Sequence, residues 1–192
     1  MTKSAGWALA LAAGLAAAIA GYFALVPPSP ADKAAGDPSA ARPVWTEVKW
    51  PFPIDQWGTG RAFVCKASDC KGEVRLYLRA KLGSCNCTTG IAEDADLDRM
   101  SDFELVGSEA SPAGPGRPIT VAWMKGRSRA YVLTSPARPG NSAISVAFND
   151  RCDMVVATIV LPYDRTATME PAVMEFLNSR PVLQWAEVAL GI

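Results

Sequence analysis

The sequence predicts an α+β domain, an antiparallel β-meander sheet with short helices, preceded by an N-terminal transmembrane helix and a Pro/Ala-rich linker. Three observations predict it. Between residues 117 and 161 four apolar segments follow one another with turn residues between them, a single uncharged apolar run fills residues 5–26, and residues 27–43 carry Pro27, Pro28, Pro30, Pro38 and Pro43 with no apolar periodicity.

The run at 5–26 is long enough to cross a bilayer, which takes about 20 residues. Lys3 and the free amine precede it, so the amino terminus is expected to stay in the cytoplasm and the rest to be exported. The domain is then expected in the periplasm, held at the inner (cytoplasmic) membrane by a single-pass signal-anchor. Ala18-Ile19-Ala20 has the small-x-small pattern of a cleavage site; cut there, the chain would be a secreted periplasmic protein. As extended polyproline, at about 3.1 Å per residue, the linker would hold the domain up to roughly 50 Å from the membrane. Residues 44–192, roughly 150 in all, suit one ordinary domain.

Residues 44–50 alternate Val44, Thr46, Val48 and Trp50 on one side with Trp45, Glu47 and Lys49 on the other, a first strand stopped by Pro51 and Pro53. Trp45, Trp50 and Trp57 read as packing rather than a ligand platform. Residues 60–65 read as a second strand. Residues 73–80 give the clearest alternation, with Val74, Leu76, Leu78 and Ala80 inward and Glu73, Arg75, Tyr77 and Arg79 outward. A short amphipathic helix follows at about 94–103, acidic in its first turn.

The meander has segments at 118–124, 130–134, 143–148 and 154–161, with turns expected at 126–128, 136–141 and 149–151. Ile119, Val121 and Trp123 share one face, as do Ile144, Val146 and Phe148. The run Val155 to Leu161 is apolar on both faces and is the expected central, doubly covered strand. Thr168 is placed to cap a helix to about Asn178, broken by Pro181; residues 182–190 fit a second helix or a closing strand.

The formal charge is zero, so no whole-molecule field draws the chain to DNA or RNA, and no nucleic-acid partner is expected. The chain contains no histidine. That removes Ser-His and Cys-His nucleophile pairs, imidazole bases and His-ligated zinc or haem. No Gly-x-Ser-x-Gly elbow, Ser-x-x-Lys or phosphate-binding loop is present. No catalytic residue, cofactor or metal is assigned.

Five cysteines, Cys65, Cys70, Cys85, Cys87 and Cys152, would meet an oxidising compartment after export. Cys65 and Cys70 bracket a short loop at the expected mouth of a hairpin, where facing residues lie within bridging distance. The preferred framework is Cys65 to Cys70, and Cys152 to either Cys85 or Cys87. The competing reading makes Cys85-x-Cys87 a redox pair or, with Cys65 and Cys70, a thiolate metal site; the spacing matches neither Cys-x-x-Cys pattern.

Asp94, Asp96 and Asp98 repeat the opening of a calcium loop, but Arg99 stands where its glycine belongs and Leu105 where its glutamate belongs. Charge is segregated: acids dominate residues 93–109, and Arg117, Lys125, Arg127, Arg129 and Arg138 follow without an acid. Such clusters form two faces of a binding surface or neutralise each other within the fold. Lys125, Arg127 and Arg129 are the candidate contacts for an envelope protein or an anionic lipid headgroup. The functional expectation is a non-enzymatic accessory or binding domain of the cell envelope, the alternative an exported thiol-redox or metal-handling protein acting through Cys85 and Cys87. The sequence sets no oligomeric state.

Overall fold

The run Val155 to Leu161 is buried on both faces, and it lies at the centre of the sheet in the computed structural model. The structure describes residues 42–134 and 140–192; the apolar run at 5–26 and all but the last two residues of the linker at 27–43 lie outside them. The strands are β1 (Trp45–Val48), β2 (Arg61–Cys65), β3 (Val74–Lys81), β4 (Glu109–Pro112), β5 (Arg117–Val121), β6 (Met124–Thr134), β7 (Asn141–Asp150) and β8 (Asp153–Pro162). Among the described residues they form one antiparallel sheet in the order β1-β2-β3-β8-β7-β6-β4, with β5 also on β6. The fold is α+β: the helices are α1 (Ala67–Cys70), α2 (Asp94–Met100), α3 (Thr166–Leu177) and α4 (Arg180–Leu190), with a 3-10 turn at Phe103–Val106. No helix among the described residues is long and apolar enough to cross a membrane.

The meander closes onto the N-terminal hairpin because β8 pairs β3, Leu76 opposite Ile159 and Leu78 opposite Ala157. On one face Leu76, Leu78, Val146, Phe148, Val155 and Ile159 pack under α3 and α4, which contribute Met169, Val173, Leu177, Val182, Ala186 and Leu190. The opposite face is covered as well. There Tyr77, Tyr131, Ala143 and Val160 pack with Trp50, Phe52 and Phe103, and Leu97 of α2 packs with Ala147, Met154 and Val156.

Residues 182–190 are helical, with Pro181 in the first turn, where its missing N–H costs no hydrogen bond, and Gly191 closing the end at φ 70°. At strand β1 the side of Trp45 faces the core: Val44 and Val48 are exposed, while Trp45 stacks on Phe176 at 5.0 Å. As an edge strand with apolar residues on both sides, its orientation is decided by which side finds a partner.

The turn expected at 126–128 does not exist. Those residues lie inside β6, and the reversal falls at Ala122-Trp123, with Val121 opposite Met124 and Ala122 at φ 51°. Trp123 is consequently at the turn and exposed, not on the inner face. Gly126 is there for a different reason: a Cβ on it would stand 2.0 Å from the Ala147 carbonyl oxygen and 2.7 Å from the Phe148 Cα. The backbones of β6 and β7 approach too closely for any side chain. Gly126→Ala is expected to lower stability by at least about 2 kcal/mol through forced strand separation, read as a shifted urea midpoint.

Beside β6 the edge is shared. β5 pairs residues 124–128 and β4 pairs residues 131–134, leaving Ala113 to Gly116 between them. Two clusters of charge sit on the second face, one fastening this break and one flooring a cleft.

Candidate functional site

The first cluster uses the segregated charge. Helix α2 begins with a capping box, in which the Glu93 carboxylate accepts from the Asp96 N–H and the Asp96 carboxylate accepts from the Glu93 N–H. Asp94, one residue inside, accepts from the Gly116 N–H at 3.0 Å and from Arg127. These contacts hold its carboxyl below the usual carboxylate range, the Gly116 N–H contributing most and the Arg127 guanidinium next. Arg129 donates to both oxygens of Asp98, at 3.0 and 2.8 Å, and to the Gly114 carbonyl at 2.7 Å. Arg127 also donates to the carbonyls of Ala92 and Gly116. Tyr131 donates to Asp98 at 2.5 Å, and burial together with that carboxylate pushes its phenol well above the ordinary tyrosine value.

Arg127 and Arg129, offered by the sequence as contacts on a hairpin tip, are thus in a strand interior, their side chains 17% and 14% exposed and paired within the fold. Lys125 is exposed. The carboxylates of Asp94 and Asp98 are likewise engaged in pinning α2 to the edge, and that of Asp96 is engaged within the helix, by the Glu93 N–H and Arg99. Among the described residues no group of three or more His, Cys, Asp or Glu is arranged to hold a metal ion.

The structure joins Cys65 to Cys70 and Cys87 to Cys152. The first pair does not face across a hairpin mouth. Cys65 lies opposite Val74, and the one-turn helix α1 carries Cys70 back beneath the strand, so both sulfurs are buried in the core under α3. The second pair selects Cys87 over Cys85 as the partner of Cys152. Cys85 keeps a free, half-buried thiol that donates to the Arg151 carbonyl at 3.3 Å, and its N–H donates to the Cys152 carbonyl at 3.2 Å. Burial, then the Asp153 charge, pushes that thiol above its usual value. Ionisation is disfavoured, the reverse of what a reactive cysteine needs.

The second cluster is built around Arg79, which the alternation in the sequence turned outward. On β3 the alternation puts Arg75, Tyr77, Arg79 and Lys81 on the second face, and that face is roofed. The Arg79 side chain is 4% exposed and that of Lys81 8%. Asp102, just past the end of α2, lies between them: Oδ1 is 2.7 Å from the Lys81 Nζ and Oδ2 accepts from the Arg79 Nε at 3.2 Å. Lys81 also donates to the Met100 carbonyl at 2.8 Å, one of the acceptors a helix leaves free at its C-terminal end. The Trp57 ring covers it, its centroid 5.7 Å from Nζ. Ser101 fixes the end of α2, donating to the Leu97 carbonyl and meeting Ser145 of β7, each at 2.7 Å.

From the opposite side the β1–β2 loop brings Asp55 to the Arg79 Nη1. The other oxygen of Asp55 accepts from the Trp57 N–H at 2.9 Å, and the Gly58 N–H returns to the Asp55 carbonyl at 2.9 Å to close a tight turn. The Arg79 hydrogen bond, then the Trp57 N–H, holds the Asp55 carboxyl below its ordinary value. Burial by itself would lower the Arg79 guanidinium, but Asp55 and Asp102 outweigh it and hold it above its usual value.

Above these residues lies a cleft of about 470 Å³, a size typical of small-molecule sites. Arg79, Lys81 and Asp102 line it with Asp55, and Phe52, Trp57, Met100 and Leu105 give it apolar walls. A hollow of about 480 Å³ elsewhere, at Glu73, Arg75, Asn141 and Pro162, offers only an exposed Arg75–Glu73 pair. The cleft is therefore the site with chemistry. Its signal in the sequence was three cations alternating on one strand face, with Asp55 and Asp102 in loops on either side.

No family model and no curated protein sequence matches this chain. Among solved structures it is similar to the solution structure of cyanobacterial PsbP (CyanoP) from Synechocystis sp. PCC 6803, with a TM-score of 0.43 and 10% sequence identity, over 79% of this chain and 94% of that one. At that level no residue role passes from one to the other.

Proposed function

We propose that this chain is an exported, membrane-tethered accessory domain of the cell envelope that works by binding, with the cleft over Arg79 and Lys81 as its contact site. The observation that carries the reading is the pair of disulfides. Two bridges placed in separate parts of one domain, at sequence separations of 5 and 65 residues, belong to an oxidising compartment. The uncharged run at 5–26 supplies the route out and the tether, and the linker supplies reach. Its partner in this reading is another envelope component presenting an anionic group. The thiol alternative has less support, because Cys87 is bonded to Cys152 and the environment of Cys85 keeps its thiol protonated.

The test is a fusion of the full chain, at its C-terminus, to a reporter enzyme that is active only outside the cytoplasm. An active reporter that sediments with membranes is expected, and deletion of residues 5–26 should abolish both properties. An inactive reporter on the intact chain overturns the reading.

A further inference from the structure

We propose that the Arg79 cleft is a binding site for a carboxylate carried on an apolar body, and that Asp55 occupies the carboxylate position while the site is empty. The inference rests on, and sharpens, the reading of this chain as a binding domain.

The argument begins with how Arg79 spends its donors. A guanidinium presents five N–H groups in a fixed planar fork. Nε is given to Asp102 and Nη1 to Asp55. No acceptor among the described residues takes a hydrogen bond from Nη2, although the side chain is only 4% exposed and lines the cleft. The outer edge of the fork, Nη1 together with Nη2, is the edge that a carboxylate engages with two parallel hydrogen bonds. Asp55 cannot fill it in this arrangement. One of its oxygens meets Nη1, and the other is taken by the Trp57 N–H.

Charge at the site agrees with geometry. The buried floor carries two cations, Arg79 and Lys81, against the single acid Asp102. One positive charge is left over, and Asp55 neutralises it from an exposed turn with its own side chain 41% exposed. A carboxylate on a solvent-facing loop can rotate out without moving the floor. An incoming carboxylate that takes both Nη1 and Nη2 restores neutrality with one more charge-assisted hydrogen bond than Asp55 makes. Gln56, Arg99, Ser101 and Glu104 line the same cleft, but Phe52, Trp57, Met100 and Leu105 give it an apolar wall on which the body attached to that carboxylate can lie, and Trp57 and Phe52 favour an aromatic ring.

The carboxylate has two possible sources, a free small molecule or the C-terminus of a peptide ending in an apolar residue. The experiment titrates the full-length, detergent-solubilised protein with 3-phenylpropionate and with its uncharged isostere 3-phenylpropanamide, following the Trp57 indole and Arg79 Nε–H signals by NMR. The acid should bind and shift both signals, and the amide should not. Asp55→Asn, an exposed substitution that leaves the floor intact, should tighten binding of the acid about tenfold by removing the internal competitor. Arg79→Lys, which keeps the charge and loses the fork, should weaken it at least about tenfold. Equal binding of acid and amide, no binding by either wild type or Asp55→Asn, or unchanged affinity in Asp55→Asn each overturns the proposal. Ala-Ala-Phe with a free C-terminus, compared with the C-terminal amide, separates the sources. Tighter binding of the free peptide than of 3-phenylpropionate assigns a chain terminus, and weaker or equal binding assigns a small molecule. The titration uses purified protein, so its failure leaves the export reading standing, and an inactive reporter fusion leaves the cleft chemistry standing.

Discussion

Asp102→Asn is expected to lower the unfolding free energy by about 3–5 kcal/mol, the range for removing one member of a buried ionic group. Asn is close to Asp in shape, so the loss is electrostatic. Asp102 is the acid that Arg79 and Lys81 share, with all three side chains under one-tenth exposed. Neutralised, it leaves Lys81 with only the Met100 carbonyl and the face of Trp57. Arg79 keeps Asp55, so most of the penalty should fall on Lys81. The double variant Asp102→Asn/Lys81→Met tests that division: it removes the orphaned cation and should recover at least about half of the loss, giving a large coupling energy in a double-mutant cycle. Urea melts of the four proteins read the result. A loss under about 1 kcal/mol for the single variant would mean that the group is solvated and the roof over β3 is absent.

The second large effect concerns the bridge between Cys87 and Cys152. It closes a loop of 65 residues and fastens the segment after β3 to the turn before β8. On chain entropy, its removal should cost about 4 kcal/mol, against about 2 kcal/mol for the short Cys65–Cys70 loop. Cys87→Ser/Cys152→Ser compared with Cys65→Ser/Cys70→Ser should show that ordering in denaturant midpoints. The short bridge has a counterweight, because both of its sulfurs are buried in the main core, so its replacement by serine also buries hydroxyls. Equal losses would mean that this burial cost offsets the difference in loop closure.

The central strand was legible because β8 is apolar on both faces, and a strand apolar on both faces needs cover on both. That the cover on the second face extends over β3 was not legible. Tyr77, Arg79 and Lys81 alternate with Leu76, Leu78 and Ala80, and a period of two reports which residues share a face, not whether a polar face is roofed. The roof is built from Asp55 and Asp102, each more than twenty residues from Arg79 along the chain. Only tertiary contact brings them together.

The stretch from Lys125 to Arg129 was misread for a related reason. Gly126 and Ser128 among cations have the composition of a turn. In the fold Gly126 answers a close backbone approach, Ser128 is buried against Glu170, and the two arginines reach α2. Segregation of acids at 93–109 from bases at 117–138 was visible in the sequence. That Asp94 and Asp98 pair with Arg127 and Arg129 within the fold required the register of β4, β5 and β6.

The central claim, an exported domain locked by two specific bridges, is tested most directly by acid-quenching intact cells, alkylating the denatured protein without reduction, and mapping linked peptides by mass spectrometry. The account predicts Cys65 linked to Cys70, Cys87 linked to Cys152, and alkylation at Cys85 alone. Alkylation of all five cysteines would place the domain in a reducing compartment and contradict the account, and so would a bridge between Cys85 and Cys87.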